Sequence, residues 1–380
     1  MIDTTCISAA VTPEGTGVNE IWDYPSGLNE TLPYAYGNPT NSGSIKANPD
    51  DFLVDEELGF ALDGEGEHIF LRIEKVGENT EYVARLLARF AGVPPVAVGY
   101  AGLKDRHGRT RQWFSVGLAG QQEPDWALLN GQTLRIIETG RHRRKLKKGA
   151  LAGNRFHITL RSITGLYDEL EARLRCVVAG GVPNYFGPQR FGRNAANLTA
   201  ARDFLLRHAA VRSRHRRSLY LSAARSYLFN RIVAQRVRQG TWNRAIPGDI
   251  FMFTTSRSIF RGDATSNDIN GRVAALAIHP SGSLWGRGEP LVSADAETQE
   301  QEALQDVAPL CAALERAGLE RAMRPLRLSV SDLRWQFIDD SKLELDLCLP
   351  AGAYATSVLR EIIRTDAAEE SAEERVDQVN

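Results

Sequence analysis

Residues 67–75 alternate cleanly, with Ile69, Leu71 and Ile73 on one side of the backbone and His68, Phe70, Arg72 and Glu74 on the other. That two-residue period predicts a strand. A helical period follows at once: Tyr82, Val83, Leu86, Leu87 and Phe90 share one face, opened by the cap Asn79-Thr80 and closed by Gly92 and Pro94-Pro95. Val96 to Leu103 then predicts an apolar strand, a polar loop follows it, and a second short strand runs through Phe114 and Val116. Further extended segments are predicted over Asp50–Glu56, Thr133–Ile137, Asn154–Leu160 and Leu343–Leu349; Phe156, Ile158 and Leu160 point the same way. Helices are predicted over Leu166–Val178, Asn197–Ala210, Leu219–Arg238 and Leu304–Leu319, with a basic link Arg212–Arg217 and a last turn into a helix after Pro350. The stretch Gly180–Gly192 mixes glycine, proline, two aromatics and Arg190, and reads as a shaped loop and not a packed element. Residues 240–295 read as short-stranded, residues 1 to about 40 as irregular, and the chain closes on an acidic tail.

A length of 380 residues accommodates two domains, or one large domain with an insertion. Hydrophobic content of 43% and charged content of 24% are those of a globular protein. No apolar run spans a bilayer and the N-terminus does not resemble a secretory signal, so a cytoplasmic location is expected. The four cysteines lie far apart and the histidines form no H-E-x-x-H pattern, so neither a disulfide framework nor metal chemistry is indicated. There is also no phosphate-binding glycine loop and no solenoid repeat.

Charge changes the picture. The net charge is −1, yet residues 141–244 hold 23 Lys and Arg against four acids, Asp168, Glu169, Glu171 and Asp203, an excess of 19 positive charges. A basic third within a neutral chain calls for a polyanion, RNA or DNA by default. Six of these cations, Arg141, Arg143, Arg144, Lys145, Lys147 and Lys148, fall within eight residues at a strand exit, where a phosphate backbone would neutralise them.

The polar loop before Phe114 carries the candidate chemistry. Asp105 stands among Lys104, Arg106, Arg109 and Arg111, and positive neighbours favour its ionised form. Such a carboxylate can be a nucleophile, a base or a salt-bridge partner, and a solvated ion pair in a turn fits the same residues. Phe156, beside Asn154 and the basic stretch, fits either a base-stacking ring or a core residue.

Several motifs together resemble the TruD family of tRNA pseudouridine synthases. They are Asp51-Phe52-Leu53-Val54-Asp55-Glu56, Gly64-Glu65-Gly66-Glu67-His68, Gly99 to Val116 with Ala-Gly-Leu-Lys-Asp-Arg at its centre, Arg141-His142 to Asn154-Arg155-Phe156, Pro183 to Gly192, Ser226 to Asn230, and Leu349 to Glu361. They follow the family's order from about residue 43 to about 363. The resemblance implies Asp105 as catalytic aspartate, Phe52, Asn154 and Tyr354 as substrate contacts, Phe156 as the aromatic flanking the uracil, and Lys46 and Lys104 as further site positions. Tyr354 stands where many bacterial members have Phe, which keeps the ring and adds a hydroxyl.

The implied fold is α+β, a mixed and largely antiparallel sheet with flanking helices, carrying an inserted α/β domain. The expected division is an irregular extension over 1–42, the catalytic domain over 43–179 and 329–364, the insert over 180–328, and an acidic tail over 365–380. The implied reaction isomerises uridine 13 of the tRNA D arm to pseudouridine, with the base flipped out of the stack and no cofactor or metal. The implied partner is tRNA, and the chain is expected to act as a monomer away from membranes. Two other readings fit the sequence: a non-catalytic RNA-binding or tRNA-folding protein, and a synthase acting on another RNA.

Overall fold

The computed structural model describes residues 32–106 and 108–365. Most of the irregular N-terminal segment, His107 and the acidic tail lie outside the described residues. In chain order, strands β1 (Ser42–Ser44), β2 (Phe52–Glu57) and β3 (His68–Val76) precede helix α1 (Thr80–Phe90). Strands β4 (Val98–Tyr100), β5 (Arg109–Gly117), β6 (Leu134–His142) and β7 (Gly153–Thr164) lead to α2 (Tyr167–Gly180). The middle of the chain holds β8 (Val182–Pro183), α3 (Ala196–Leu206), α4 (Arg214–Arg238), β9 (Ile250–Phe253), β10 (Ile259–Arg261) and α5 (Asn267–Ala274). It continues through β11 (Ile278–Leu284), α6 (Ala294–Leu304), α7 (Ala308–Arg316), β12 (Ala322–Pro325) and β13 (Arg327–Leu328). Strands β14 (Ser331–Asp339) and β15 (Lys342–Pro350), helix α8 (Ala355–Ile362) and strand β16 (Arg364–Thr365) complete it.

The large sheet runs β14-β15-β7-β2-β5-β3-β6, with β1, β4 and β16 attached to it. Its pairings are antiparallel except β2 with β5 and β1 with β16, so the sheet is mixed and largely antiparallel as expected. One core lies between α2, α8 and the β2, β7 and β15 strands; a second lies between α1 and the Ile69-Leu71-Ile73 face of β3. The other face of β3 is not uniformly wet, because Phe70 is enclosed there with Trp113 and Leu146. The middle segment builds its own antiparallel sheet, β10-β9-β11-β12, with α4 lying against β11 and α3 and α7 packed onto α4.

Several elements differ from the periodicity reading. The strand expected over Val96–Leu103 is confined to Val98–Tyr100, since Pro95–Ala97 forms a 3-10 turn that uses up its start. Helix α4 begins five residues early: the Ser213 hydroxyl accepts from the Arg216 amide at 3.3 Å, and the arginines of the supposed link are good helix formers. The helix expected over Leu304–Leu319 is confined to α7, because a 3-10 turn at Gln305–Val307 uses up its start and Pro309 opens the helix proper; α6, which ends at Leu304, was not anticipated. Strand β14 was not anticipated. Nor is Gly180–Gly192 an unpacked loop, since Tyr185, Phe186 and Phe191 are all buried in the core of the middle segment. Asn230 holds that loop by donating to the Phe186 carbonyl at 2.9 Å and accepting from its amide at 2.8 Å, and the Ser357 hydroxyl donates to the Tyr185 carbonyl at 2.8 Å. Loop, α4 and α8 are thereby tied together.

Residues 32–41 are irregular in backbone but firmly attached. The buried Glu361 carboxylate accepts from the Ala35 amide at 2.9 Å, and the Asn41 side chain donates to the carbonyls of Thr164 and Leu166 at 3.2 and 3.0 Å. Among the described residues no helix is long and apolar enough to cross a membrane.

Candidate active site

Parallel pairing of β2 with β5 organises the site. It sets the starts of the two strands side by side, Leu53 opposite Arg109, so the turn before β2 and the loop before β5 meet at one edge. A Cβ on Gly108 would stand 2.6 Å from the Phe52 carbonyl oxygen, closer than carbon and oxygen pack, so only glycine lets the loop close onto β2 there. The turn supplies Lys46 and the loop supplies Asp105, and Lys46 Nζ lies 2.8 Å from Asp105 Oδ2. Lys46 holds a left-handed backbone at φ 55°, a conformation disfavoured for a side-chain-bearing residue and met often at functional sites. Asp51 fixes the same turn, accepting from the Asn48 amide at 2.8 Å and from both nitrogens of the Arg161 fork.

Beneath the loop lies a row of polar side chains on an otherwise apolar sheet face. Asn154 of β7 is opposite Glu56 of β2, and the parallel register continues the row to Gln112 of β5. The Glu56 side chain is 0% exposed; its carboxylate accepts from the Trp113 amide at 2.9 Å and meets Lys104 Nζ at 2.5 Å. Burial raises the Glu56 pKa, and the Lys104 ammonium opposes that shift. Gln112 donates to the Gly102 carbonyl at 2.7 Å, and the Thr80 hydroxyl donates to Gln112 Oε1 at 2.9 Å while accepting from the Lys104 amide at 3.1 Å. Thr80, counted as a helix cap in the sequence, therefore fastens the loop instead.

Lys75 secures the loop from behind. It is 1% exposed, and its ammonium donates to the carbonyls of Glu78 at 2.8 Å and Asp105 at 3.1 Å. Burial pulls its pKa down to about 8, against the opposing effect of the Asp105 charge. The Arg106 carbonyl accepts from the Gly77 amide at 3.0 Å and its Nε donates to the Gly77 carbonyl at 2.9 Å. A carboxylate held on both sides of its backbone, with an ammonium on one oxygen, is a preorganised anionic group.

The family described as tRNA pseudouridine synthase D (TruD) matches this chain over residues 29–209 and 198–362. The chain belongs to the TruD family. It is 54% identical to the tRNA pseudouridine synthase D of Methylococcus capsulatus over 337 residues, which is 89% of this chain and 95% of that protein. It is 44% identical to the protein of the same description from Hydrogenovibrio crunogenus, covering 87% and 95% of the two chains. A crystal structure from Methanosarcina mazei, described as a tRNA pseudouridine synthase D, superposes with a TM-score of 0.65 at 22% identity, covering 87% of this chain and 95% of that one. That likeness shows the fold.

Within this TruD chain, Lys46, Phe52, Lys104 and Asp105 gather at the paired strand starts, and Asn154 lies across the sheet face from them. The Lys46 ammonium stands 4.7 Å above the Phe52 ring. Phe52 and Phe156 are 5% and 6% exposed and meet edge to face at 6.0 Å, so no slot for a base exists between those two rings. Tyr354 opens α8 after the turn that leaves β15, whose Leu349 pairs with Asn154; its ring edges onto Phe186 at 6.1 Å. Asn154 is 8% exposed, and its Oδ1 is buried without a hydrogen-bond partner among the described residues.

The basic stretch is divided. Arg141 pairs with Glu123 at 2.6 Å, Arg143 with Glu65, and Lys145 donates to the Val96 carbonyl, so these three cations are already engaged within the fold. Arg144, Lys147 and Lys148 are exposed and carry no ion pair among the described residues. The stretch adjoins the Asp105 loop: the Leu146 amide donates to Ser115 Oγ at 2.9 Å, and the Gly149 amide to the Ala101 carbonyl at 2.7 Å. Sequence reasoning missed Glu56, Lys75, Thr80 and Gln112 as parts of this assembly. Glu56 left a signal, since alternation sets it on the same face as Phe52 and Val54.

Proposed function

We propose that this chain is a tRNA pseudouridine synthase that isomerises uridine 13 of the D arm, with Asp105 as its catalytic carboxylate. The observation carrying this reading is the Lys46–Asp105 contact at 2.8 Å on a loop fixed from below by Gln112 and Thr80 and from behind by Lys75. Pseudouridine formation breaks the bond from C1′ to N1, forms one from C1′ to C5, and exchanges the proton on C5 for one on N1. Atoms and electrons balance without a cofactor. Whether Asp105 attacks sugar or base, or removes a proton from the ribose, it must be ionised, and the Lys46 ammonium favours that form.

A uracil stacked in an RNA arm is out of reach of a carboxylate, so the base is turned out of the helix. In this reading Asn154, with its unpartnered Oδ1, accepts a hydrogen bond from a uracil N–H, Tyr354 supplies the stacking ring, and Phe52 and Phe156 form an apolar wall. Arg144, Lys147 and Lys148 meet the backbone. In this reading residues 43–179 and 329–364 form the catalytic domain and 180–328 the insert.

The test uses unmodified tRNA transcripts, mapping pseudouridine by chemical adduct and reverse-transcription stop, with Asp105→Asn in parallel. A stop at position 13 that Asp105→Asn abolishes while RNA binding persists is the expected result. A stop elsewhere changes the substrate, and product formed by the Asp105→Asn protein refutes the carboxylate's role.

A further inference from the structure

The loop Pro183–Gly192 and strand β12 bring two arginines to one aromatic ring beside Tyr354. The Arg324 guanidinium lies 4.1 Å from the Phe186 centroid and that of Arg190 lies 5.2 Å from it; Phe186 in turn edges onto Tyr354. Arg324 Nη2 donates to Asn184 Oδ1 at 2.6 Å and to the Gly352 carbonyl at 3.3 Å, two residues before Tyr354, and Arg190 Nη1 donates to Ser222 Oγ at 3.1 Å. Neither arginine has a carboxylate within ion-pair distance among the described residues, and Arg257 adds positive charge near Arg324. The Nε atoms of both are buried without a hydrogen-bond partner. Arg190 Nη2 and Arg324 Nη1 make no hydrogen bond among the described residues, yet are not enclosed.

Gathering guanidinium groups in a partly desolvated place with no counter-charge is unfavourable unless an anion completes it. Consistent with this, burial draws the Arg324 pKa down to about 10, with the Arg190 and Arg257 charges adding to the shift. A carboxylate partner inside the fold would have relieved the strain permanently, as Asp249 does for Arg236 at 2.8 Å.

We propose that Arg190 and Arg324 form a phosphate-binding site for the RNA strand, gripping one phosphodiester next to the nucleotide whose base lies against Tyr354. The site rests on the reading that Tyr354 faces the flipped uridine. Its chemistry is that of a planar fork against phosphate oxygens, with Phe186 as the ring that both guanidinium groups contact and Asn230 holding Phe186 in place. By gripping the backbone beside the target, the pair would keep the extruded nucleotide from swinging back into the stack.

Binding of tRNA transcript is measured across a range of KCl concentrations in the Asp105→Asn background, so that the RNA stays unmodified. Arg190→Gln is expected to weaken affinity roughly 3- to 10-fold and to lower the slope of log affinity against log salt by about 0.7, one single-strand phosphate contact. Arg190→Lys keeps the charge and restores the slope while affinity stays reduced, because the fork is lost. Arg324→Gln repeats the slope change, and an unaltered melting temperature of Arg190→Gln separates the effect from unfolding. With an RNA whose phosphates flanking the target uridine are neutral methylphosphonates, parent and Arg190→Gln are expected to bind alike. Slope and affinity unchanged in Arg190→Gln overturn the proposal, as does an Arg190→Gln defect that persists undiminished on the methylphosphonate RNA. Should the Asp105→Asn protein itself form pseudouridine, the catalytic reading fails on that result, and the salt comparison still decides this one.

Discussion

Replacing Lys104 by Met isolates the contribution of the buried pair under the Asp105 loop. The substitution keeps most of the apolar stem and removes the ammonium that lies 2.5 Å from Glu56, whose side chain is fully enclosed. The Trp113 amide, at 2.9 Å, remains as the one hydrogen-bond donor to that carboxylate among the described residues. Leaving such a charge buried costs about 3–5 kcal/mol. If the 380 residues unfold as a unit at about 2 cal/mol/K per residue, that is a fall in Tm of roughly 4–6 °C. The size depends on pH in a fixed direction. Burial already raises the Glu56 pKa above its ordinary 4.5, and losing Lys104 raises it further. The folded variant therefore binds more protons than the unfolded chain between that ordinary value and the raised one, so its stability falls as pH rises through the folded value. Thermal unfolding followed by tryptophan fluorescence is expected to show a smaller deficit in mild acid than at neutral pH. Adding Glu56→Gln to Lys104→Met removes the stranded charge and is expected to recover more than half the loss. A Lys104→Met deficit below about 1 kcal/mol at both pH values, or no recovery with Glu56→Gln, would refute the reasoning.

Lys75 gives the opposite pH sign: its pKa falls from 10.5 to about 8 on burial, so the unfolded chain holds more protons in that window and Lys75 adds up to about 3 kcal/mol of stability as pH rises through it. Lys75→Met is expected to flatten that rise in Tm against pH and, by freeing the Asp105 carbonyl, to lower kcat more than it raises KM. Gly108→Ala is expected to cost at least 10-fold in activity with RNA affinity within 2-fold, since its Cβ would meet the Phe52 carbonyl at 2.6 Å and push the loop off β2. Phe52→Ala removes a buried ring and is expected to lower stability by about 3–5 kcal/mol, read by chemical denaturation.

Much of the architecture was legible in the chain because periodicity is a local property. The alternation at 67–75 and 154–160 and the helix at 82–90 each appear where predicted; the strands bury the side that their pattern marks, whereas the helix buries Val83, Ala84, Leu87 and Ala88 and leaves Tyr82, placed on the apolar stripe, 40% exposed. Elements whose start depends on charge or on capping were misjudged. The arginines at 214–217 carry no apolar stripe, so the beginning of α4 was invisible until the Ser213 cap was seen. The buried aromatics of Gly180–Gly192 were hidden for a similar reason: Gly and Pro mark a departure from regular backbone, not from packing.

The candidate site divides along the same line. By itself the sequence determined that Asp105 sits in a cationic loop between two strands, that Asn154 and Phe156 lie on one strand face, and that residues 141–244 are strongly basic within a near-neutral chain. Its motifs were enough to mark the family. What only the tertiary structure decided is which charges meet: Lys46 with Asp105, Lys104 with Glu56, and Arg141 and Arg143 with carboxylates of the fold. It also decided that Phe52 and Phe156 close on each other, and that Thr80 and Gln112, unremarkable in the sequence, hold the loop. The reason is physical. Hydrophobic periodicity reports which face of an element is buried, whereas ion pairs depend on strand order and register, and here on a parallel pairing between strands fifty residues apart that no local pattern encodes.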